Sequence, residues 1–193
     1  MPNGHLDCLA PVKGTTTGES VARQYGKAAV DGDVGGPEGT PLLGLTLYST
    51  DPTHQLDIVW WDDARTAVSM VRASDKSVDW IGPSGLHVGS SLADVEAANG
   101  KPFTLSGFGW DYGGYAVDFK GGKLETLDGG CHLLLRFDNV ASTAAIPDGI
   151  SGDGVQLNSD DPKVKKYAPV ITEMSVGWPL PKGVKPSGGG AGD

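Results

Sequence analysis

Two stretches of the chain carry helical spacing, and much of the remainder alternates apolar and polar residues with the period of a strand. Thr16-Thr17-Gly18-Glu19-Ser20-Val21-Ala22-Arg23-Gln24-Tyr25-Gly26-Lys27 recurs 74 positions later as Ser90-Ser91-Leu92-Ala93-Asp94-Val95-Glu96-Ala97-Ala98-Asn99-Gly100-Lys101. In each copy hydroxyl residues stand where a cap belongs, an acid falls in the first turn, Val21 or Val95 takes an inward position, and a glycine stops the helix. Thr16 with Glu19 reads as the capping box of the first copy and Ser91 with Asp94 as that of the second, one residue out of the 74-residue register.

Each copy runs into strand-like sequence. After a Gly/Pro-rich connector over residues 31–41 come three alternating runs, with Leu43, Leu45 and Leu47 on one face, then Leu56, Ile58 and Trp60, then Val68 and Met70. They predict a three-stranded meander, with a short run at residues 78–81 leading to the second helix. Beyond that helix, Gly113-Gly114, Gly121-Gly122 and Gly129-Gly130 enclose segments 115–120 and 123–128 and precede a run at 131–137, as two-residue hairpin turns would. Tyr115, Val117 and Phe119 share one predicted face, as do Cys131, Leu133, Leu135 and Phe137. Residues 141–161 read as a loop, and a last strand alternates through Val170, Thr172, Met174, Val176 and Trp178. The predicted architecture is α+β, a tandem repeat of helix plus antiparallel β-meander. The first unit spans residues 1–84, the second with its final strand 85–178, and a Pro/Lys/Gly-rich disordered tail 179–193.

Composition supports this picture and removes some functions. The 193 residues hold 30 glycines and 13 prolines, which favour short strands and tight turns, while 38% hydrophobic and 20% charged residues are the mix of a folded, water-facing protein. A net charge of -9 without a basic stripe argues against nucleic acid and anionic lipid as partners. Lys163, Lys165 and Lys166 sit beside Asp160 and Asp161 and read as a solvated loop. There is no apolar run of membrane-spanning length and no hydrophobic leader after Met1, as expected of a mature exported domain or of a cytoplasmic protein. The two cysteines, Cys8 and Cys131, allow one pairing or two buried thiols.

The second copy is also the basis of a family resemblance. Ser91 through Val95, Gly100 and Pro102, followed by Trp110-Asp111-Tyr112 and by Phe119, Gly122 and Leu124, resembles a unit of the form hydroxyl-x-x-x-V-x-x-x-x-G-x-P, W-x-Y, F-x-x-G-x-L. That unit occurs in small bacterial outer-membrane lipoproteins of the BamE/SmpA type and, in tandem, in β-lactamase-inhibitor-protein-like (BLIP-like) domains. Residues 99–114 are also similar to bacterial envelope proteins without an assigned activity. The resemblance implies a BLIP-like tandem, a periplasmic or secreted location, binding of a protein partner, and hence a Cys8–Cys131 disulfide, which an oxidising compartment permits. The sequence departs from the lipoprotein pattern at Cys8, where His5-Leu6-Asp7 precede it in place of a hydrophobic leader, which argues against lipidation there, and no inhibitor contact residue can be transferred.

Candidate chemistry is sparse. In Phe108-Gly109-Trp110-Asp111-Tyr112-Gly113-Gly114, flanking glycines let a turn present Trp110 and Tyr112 as aromatic anchors beside Asp111; the plainer reading puts Trp110 in the core and Asp111 in a turn cap. Trp60 and Trp61 must point to opposite sheet faces, so Trp61 either marks a binding surface or packs under a loop or the tail. These residues give a non-catalytic binding domain that recognises a protein or ligand through its sheet face. The competing reading is a small hydrolase using Asp111, Asp118 and His132. Scattered histidines and two cysteines suggest no metal, residues 31–36 lack the ligands of a calcium loop, and no nucleotide or dinucleotide motif implies a cofactor.

Overall fold

The computed structural model describes residues 4–74, 76–140 and 145–187. In chain order they form β1 (Gly4–His5), α1 (Gly18–Tyr25), β2 (Ala29–Gly35), β3 (Pro41–Leu47), β4 (Leu56–Trp60), β5 (Val68–Ser74), β6 (Trp80–Ile81), α2 (Leu92–Asn99), β7 (Thr104–Ser106), β8 (Ala116–Asp118), β9 (His132–Asp138), β10 (Gln156–Asn158), α3 (Pro162–Tyr167) and β11 (Val170–Gly177). The class is mixed α and β with antiparallel sheets. The main sheet has six strands in the order β2-β3-β4-β5-β11-β9, beside a three-stranded sheet β10-β7-β8 and a parallel pair β1-β6. A bridge between Tyr115 and Arg136, with the Phe137 amide donating to the Gly114 carbonyl at 2.8 Å, continues the main sheet from β9 toward β8.

Both anticipated helices form, and their caps are in closer register than the sequence suggests. Thr17, not Thr16, caps α1: its hydroxyl accepts from the Ser20 amide while the Ser20 hydroxyl accepts from the Thr17 amide. Ser91 and Asp94 make the same reciprocal pair 74 positions on. Glu19 instead pairs with Arg23, one turn along the exposed face of α1. Gly26 and Gly100 end the helices with positive φ, and Val21 and Val95 are fully buried.

The meander is longer than expected, because residues 31–35 of the assumed connector at 31–41 belong to strand β2. Its residues are exposed except half-buried Ala29 and buried Val34, so it lacks the alternation that marks a half-buried strand. Three irregularities in the pairing redirect side chains. Val59 pairs with Met70 but Trp60 with Val68, so Val68 faces inward and Met70 outward. A second shift in β11, between Ile171 and Glu173, places Ile171 inward with Met174 and Val176 in place of Val170 and Thr172. A third, between Thr104 and Leu105 opposite β8, accompanies a half-exposed Val117 beside a buried Phe119.

Residues 123–128 form turns instead of a strand. Gly122 is needed there for packing: a Cβ would lie 2.0 Å from Asn99 Oδ1, and the buried Asn99 side chain bonds the Lys101 and Phe119 carbonyls and the Leu124 amide. Gly114, at φ 76°, likewise has no room for a Cβ against the Phe137 carbonyl. The predicted loop at 141–161 holds β10, and the lysine cluster lies on α3; residues 141–144 are outside the described set.

One core joins these parts. Leu45, Ile58, Val71, Val176 and Leu133 are neighbours across five strands on the inner face of the sheet, where α1 and α2 cover them with Val21, Leu92 and Val95. Phe103 packs on Phe119 and Phe137 with ring centroids 5.8 and 5.6 Å apart. The Cys8–Cys131 disulfide, with Cα atoms 5.3 Å apart, ties the N-terminal segment to the start of β9. Residues 179–187 of the anticipated tail run back to the body, where the Ser187 amide donates to the Trp61 carbonyl at 2.7 Å; residues 188–193 are outside the described set.

Candidate binding cleft on the outer sheet face

The outer face carries a row of polar residues immediately next to the apolar one. Thr46, Asp57, Arg72, Ser175 and Leu134 are successive cross-strand neighbours from β3 to β9. The Thr46 hydroxyl donates to Asp57 Oδ1 at 3.1 Å, and Arg72 donates from one terminal nitrogen to Asp57 Oδ2 at 2.8 Å and to the Gly35 carbonyl at 2.7 Å. Glu173 lies 4.0 Å from the other Arg72 terminal nitrogen. Both members of the Asp57–Arg72 pair are largely buried, so the attraction between them is poorly screened by water.

Above this row lies an open cleft of about 410 Å³. Its apolar lining comes from Leu42, Met70 and Leu134, its aromatic wall from Tyr112 and Tyr115, and its charged groups are Arg72, Arg136, Glu173 and Asp111. Arg136 stands over the Tyr115 ring, 5.3 Å from its centroid, and donates to the Gly113 carbonyl at 3.1 Å, which fixes the turn that presents Tyr112. Burial first, and then the nearby Glu173 carboxylate, pushes the Tyr115 phenol above its ordinary range, so Tyr115 stays a neutral hydroxyl at physiological pH. Tyr112 is 42% exposed at the mouth.

The anticipated site residues divide. Asp111 and Tyr112 line the cleft; Trp110 does not, and its half-buried ring lies 5.5 Å from Tyr112, with its Nε1 donating to the Gly107 carbonyl and its edge in a neighbouring hollow. Trp61 is away from the cleft and packs where the chain end returns, its Nε1 donating to the Trp178 carbonyl at 3.1 Å. The hydrolase residues are not gathered into it. Asp118 is exposed and accepts from the Lys120 amide at 2.6 Å, and His132 is exposed at the start of β9 against Gly177. Among the described residues no group of three or more His, Cys, Asp or Glu side chains is placed to hold a metal ion.

Sequence reasoning missed Arg72, Arg136, Glu173 and Ser175, which come from three strands distant along the chain. The available signal was Arg72 and Arg136 inside otherwise apolar strand runs, each flanked by buried residues. The chain matches no family model, no curated protein and no solved structure.

Proposed function

We propose that this is an extracytoplasmic, non-catalytic binding domain that recognises a protein partner through the outer face of its sheet, and that it is a BLIP-like tandem of two helix-plus-meander units. The observation that carries the binding reading is the cleft: a concave surface in which low-entropy tyrosine side chains stand over an apolar floor and the charged groups are held by cross-strand partners. Support for the tandem comes from the matching helix caps and from the strand order, in which β5 of the first expected unit and β11 of the second pair antiparallel within the main sheet. The disulfide agrees with an oxidising location, and no helix among the described residues is long and apolar enough to cross a membrane.

Selection of a displayed library of constrained loops on the immobilised protein tests the reading. A convergent set of loops is expected that binds the native protein and loses binding to a Tyr112→Ala/Tyr115→Ala variant that keeps the native melting temperature. Convergent loops that bind the variant equally well would move the site elsewhere, and no convergent set would count against a binding role for this face.

A further inference from the structure

We propose that the cleft is built for an uncharged, apolar loop of the protein partner, one backbone carbonyl of which is held at the floor by Arg72 Nε–H and the Ser175 hydroxyl. This rests on the binding reading above and goes further by naming the chemistry of the occupant. Ser175 pairs directly with Arg72 on one side and with Leu134 on the other, so its side chain stands at the centre of the floor. It is 1% exposed, and its Oγ has no hydrogen-bond partner within the protein; Arg72 Nε, on its cross-strand neighbour, has none either, and because both atoms are shielded from water an incoming carbonyl reaches them by displacing the side chains over them. Two neighbouring buried groups able to donate and left without an acceptor are uncommon, because each forfeits the hydrogen bonds it made with water.

Charge selects the occupant. Arg72 has only donors to offer, so an ammonium or guanidinium group finds no acceptor in it and is repelled by it. An anion meets Glu173 and Asp111 as well as Arg72 and Arg136, a lining with no positive excess to hold it, and the Arg72 charge is already taken up by Asp57, in a domain of net charge -9. A neutral oxygen acceptor avoids both penalties. The walls ask for an apolar body around it: Leu42, Met70 and Leu134 supply the floor, with methionine able to adapt its shape, and Tyr112 and Tyr115 supply flat contact at little entropic cost. A peptide carbonyl flanked by aliphatic side chains satisfies each of these conditions, and about 410 Å³ admits a short segment of that kind.

The test uses the full chain, isotope-labelled for NMR, titrated separately with N-acetyl-leucinamide, N-acetyl-leucine and N-acetyl-lysinamide. The neutral amide is expected to give saturable shifts confined to Met70, Arg72, Tyr112, Tyr115, Leu134 and Ser175 and their neighbours, with both charged probes about tenfold weaker or more. Ser175→Ala removes a hydroxyl that has no partner in the fold, so its melting temperature should stay at or above the native value, while its affinity for the neutral amide falls about five- to tenfold. Tighter or equal binding of either charged probe, shifts centred elsewhere, no saturable shift, or unchanged affinity in Ser175→Ala would each overturn the inference. The loop selection separates the two failures: charged loops that depend on Tyr112 and Tyr115 would preserve the binding role and remove the neutral-carbonyl assignment, whereas absence of any cleft-dependent loop removes both.

Discussion

On the inner face of the main sheet, Leu45, Ile58, Val71, Val176 and Leu133 form one row across five strands, and one residue further along the same strands the outer face carries Thr46, Asp57, Arg72, Ser175 and Leu134. The first row is held by burial alone, which is non-directional and sums over area. The second contains directional contacts, each with a specific partner, and leaves Arg72 Nε and Ser175 Oγ without one. Two rows on one set of strands thus have different duties. One packs the core, and the other leaves buried polar groups without partners at some cost to stability.

The sharpest way to break this contrast is to truncate both rows. Ile58→Ala, at a fully buried position of the inner row, is expected to lower unfolding free energy in denaturant titrations by about 2–5 kcal/mol. Asp57→Ala on the outer row should cost less, about 2–3 kcal/mol, mainly because Arg72 is left as a mostly buried cation with its carboxylate gone. Adding Arg72→Met to Asp57→Ala should then recover much of that loss, since the stranded charge goes with it. An Asp57→Ala cost above that of Ile58→Ala, or no recovery in the double variant, would mean that the outer row is structural in the same sense as the inner one.

A smaller effect tests the polar contacts of the helical layer. The Tyr167 hydroxyl donates to Asp138 Oδ1 at 2.7 Å, and burial first, then this bond to a carboxylate, pushes the phenol from 10.0 up to about 12. Because the folded value is raised, the contribution is fully present below about pH 10 and is lost as pH rises from 10 toward 12. Alkaline denaturation of Tyr167→Phe should therefore be shallower over that window than that of the native protein. Identical slopes would show that Tyr167 ionises no later in the folded chain than in the unfolded one. At neutral pH the same substitution should cost only about 1 kcal/mol, the worth of one hydrogen bond.

What the sequence disclosed follows from how local each signal is. The helices were legible because capping and termination are decided within a few residues, as Ser91, Asp94 and Gly100 show, although at α1 two adjacent threonines hid which of them, Thr17, makes the cap. The apolar face of β9 was legible because Cys131, Leu133, Leu135 and Phe137 keep an unbroken period of two. β2 was not, because an exposed edge strand carrying Asp31, Gly32, Asp33 and Gly35 has no alternation to read. The faces of Val68, Met70, Val170 and Thr172 were misassigned because a pairing irregularity reverses the alternation and depends on the partner strand as much as on the residues themselves. Of the cleft, Asp111 and Tyr112 were visible as part of an aromatic turn. Arg72, Ser175 and Arg136 were not, since they meet through pairing of strands distant in sequence: Ser175 on β11 pairs with Arg72 on β5 and with Leu134 on β9.

The position of β11 has a consequence for the order in which the protein comes into being. Synthesis runs from the N-terminus, yet the strand that lies between β5 and β9 is the last in order among the described residues. Until residues 170–177 have emerged, β5 and β9 each present an open edge, and their apolar faces have no common wall. The floor of the cleft is equally late, because Glu173 and Ser175 arrive on that same strand. A nascent or truncated chain ending before residue 170 therefore carries both helices and the tyrosine turn but has no assembled site, and it exposes the two edges most prone to pairing with another molecule. Completion of the sheet and assembly of the cleft become one event, timed by the arrival of β11.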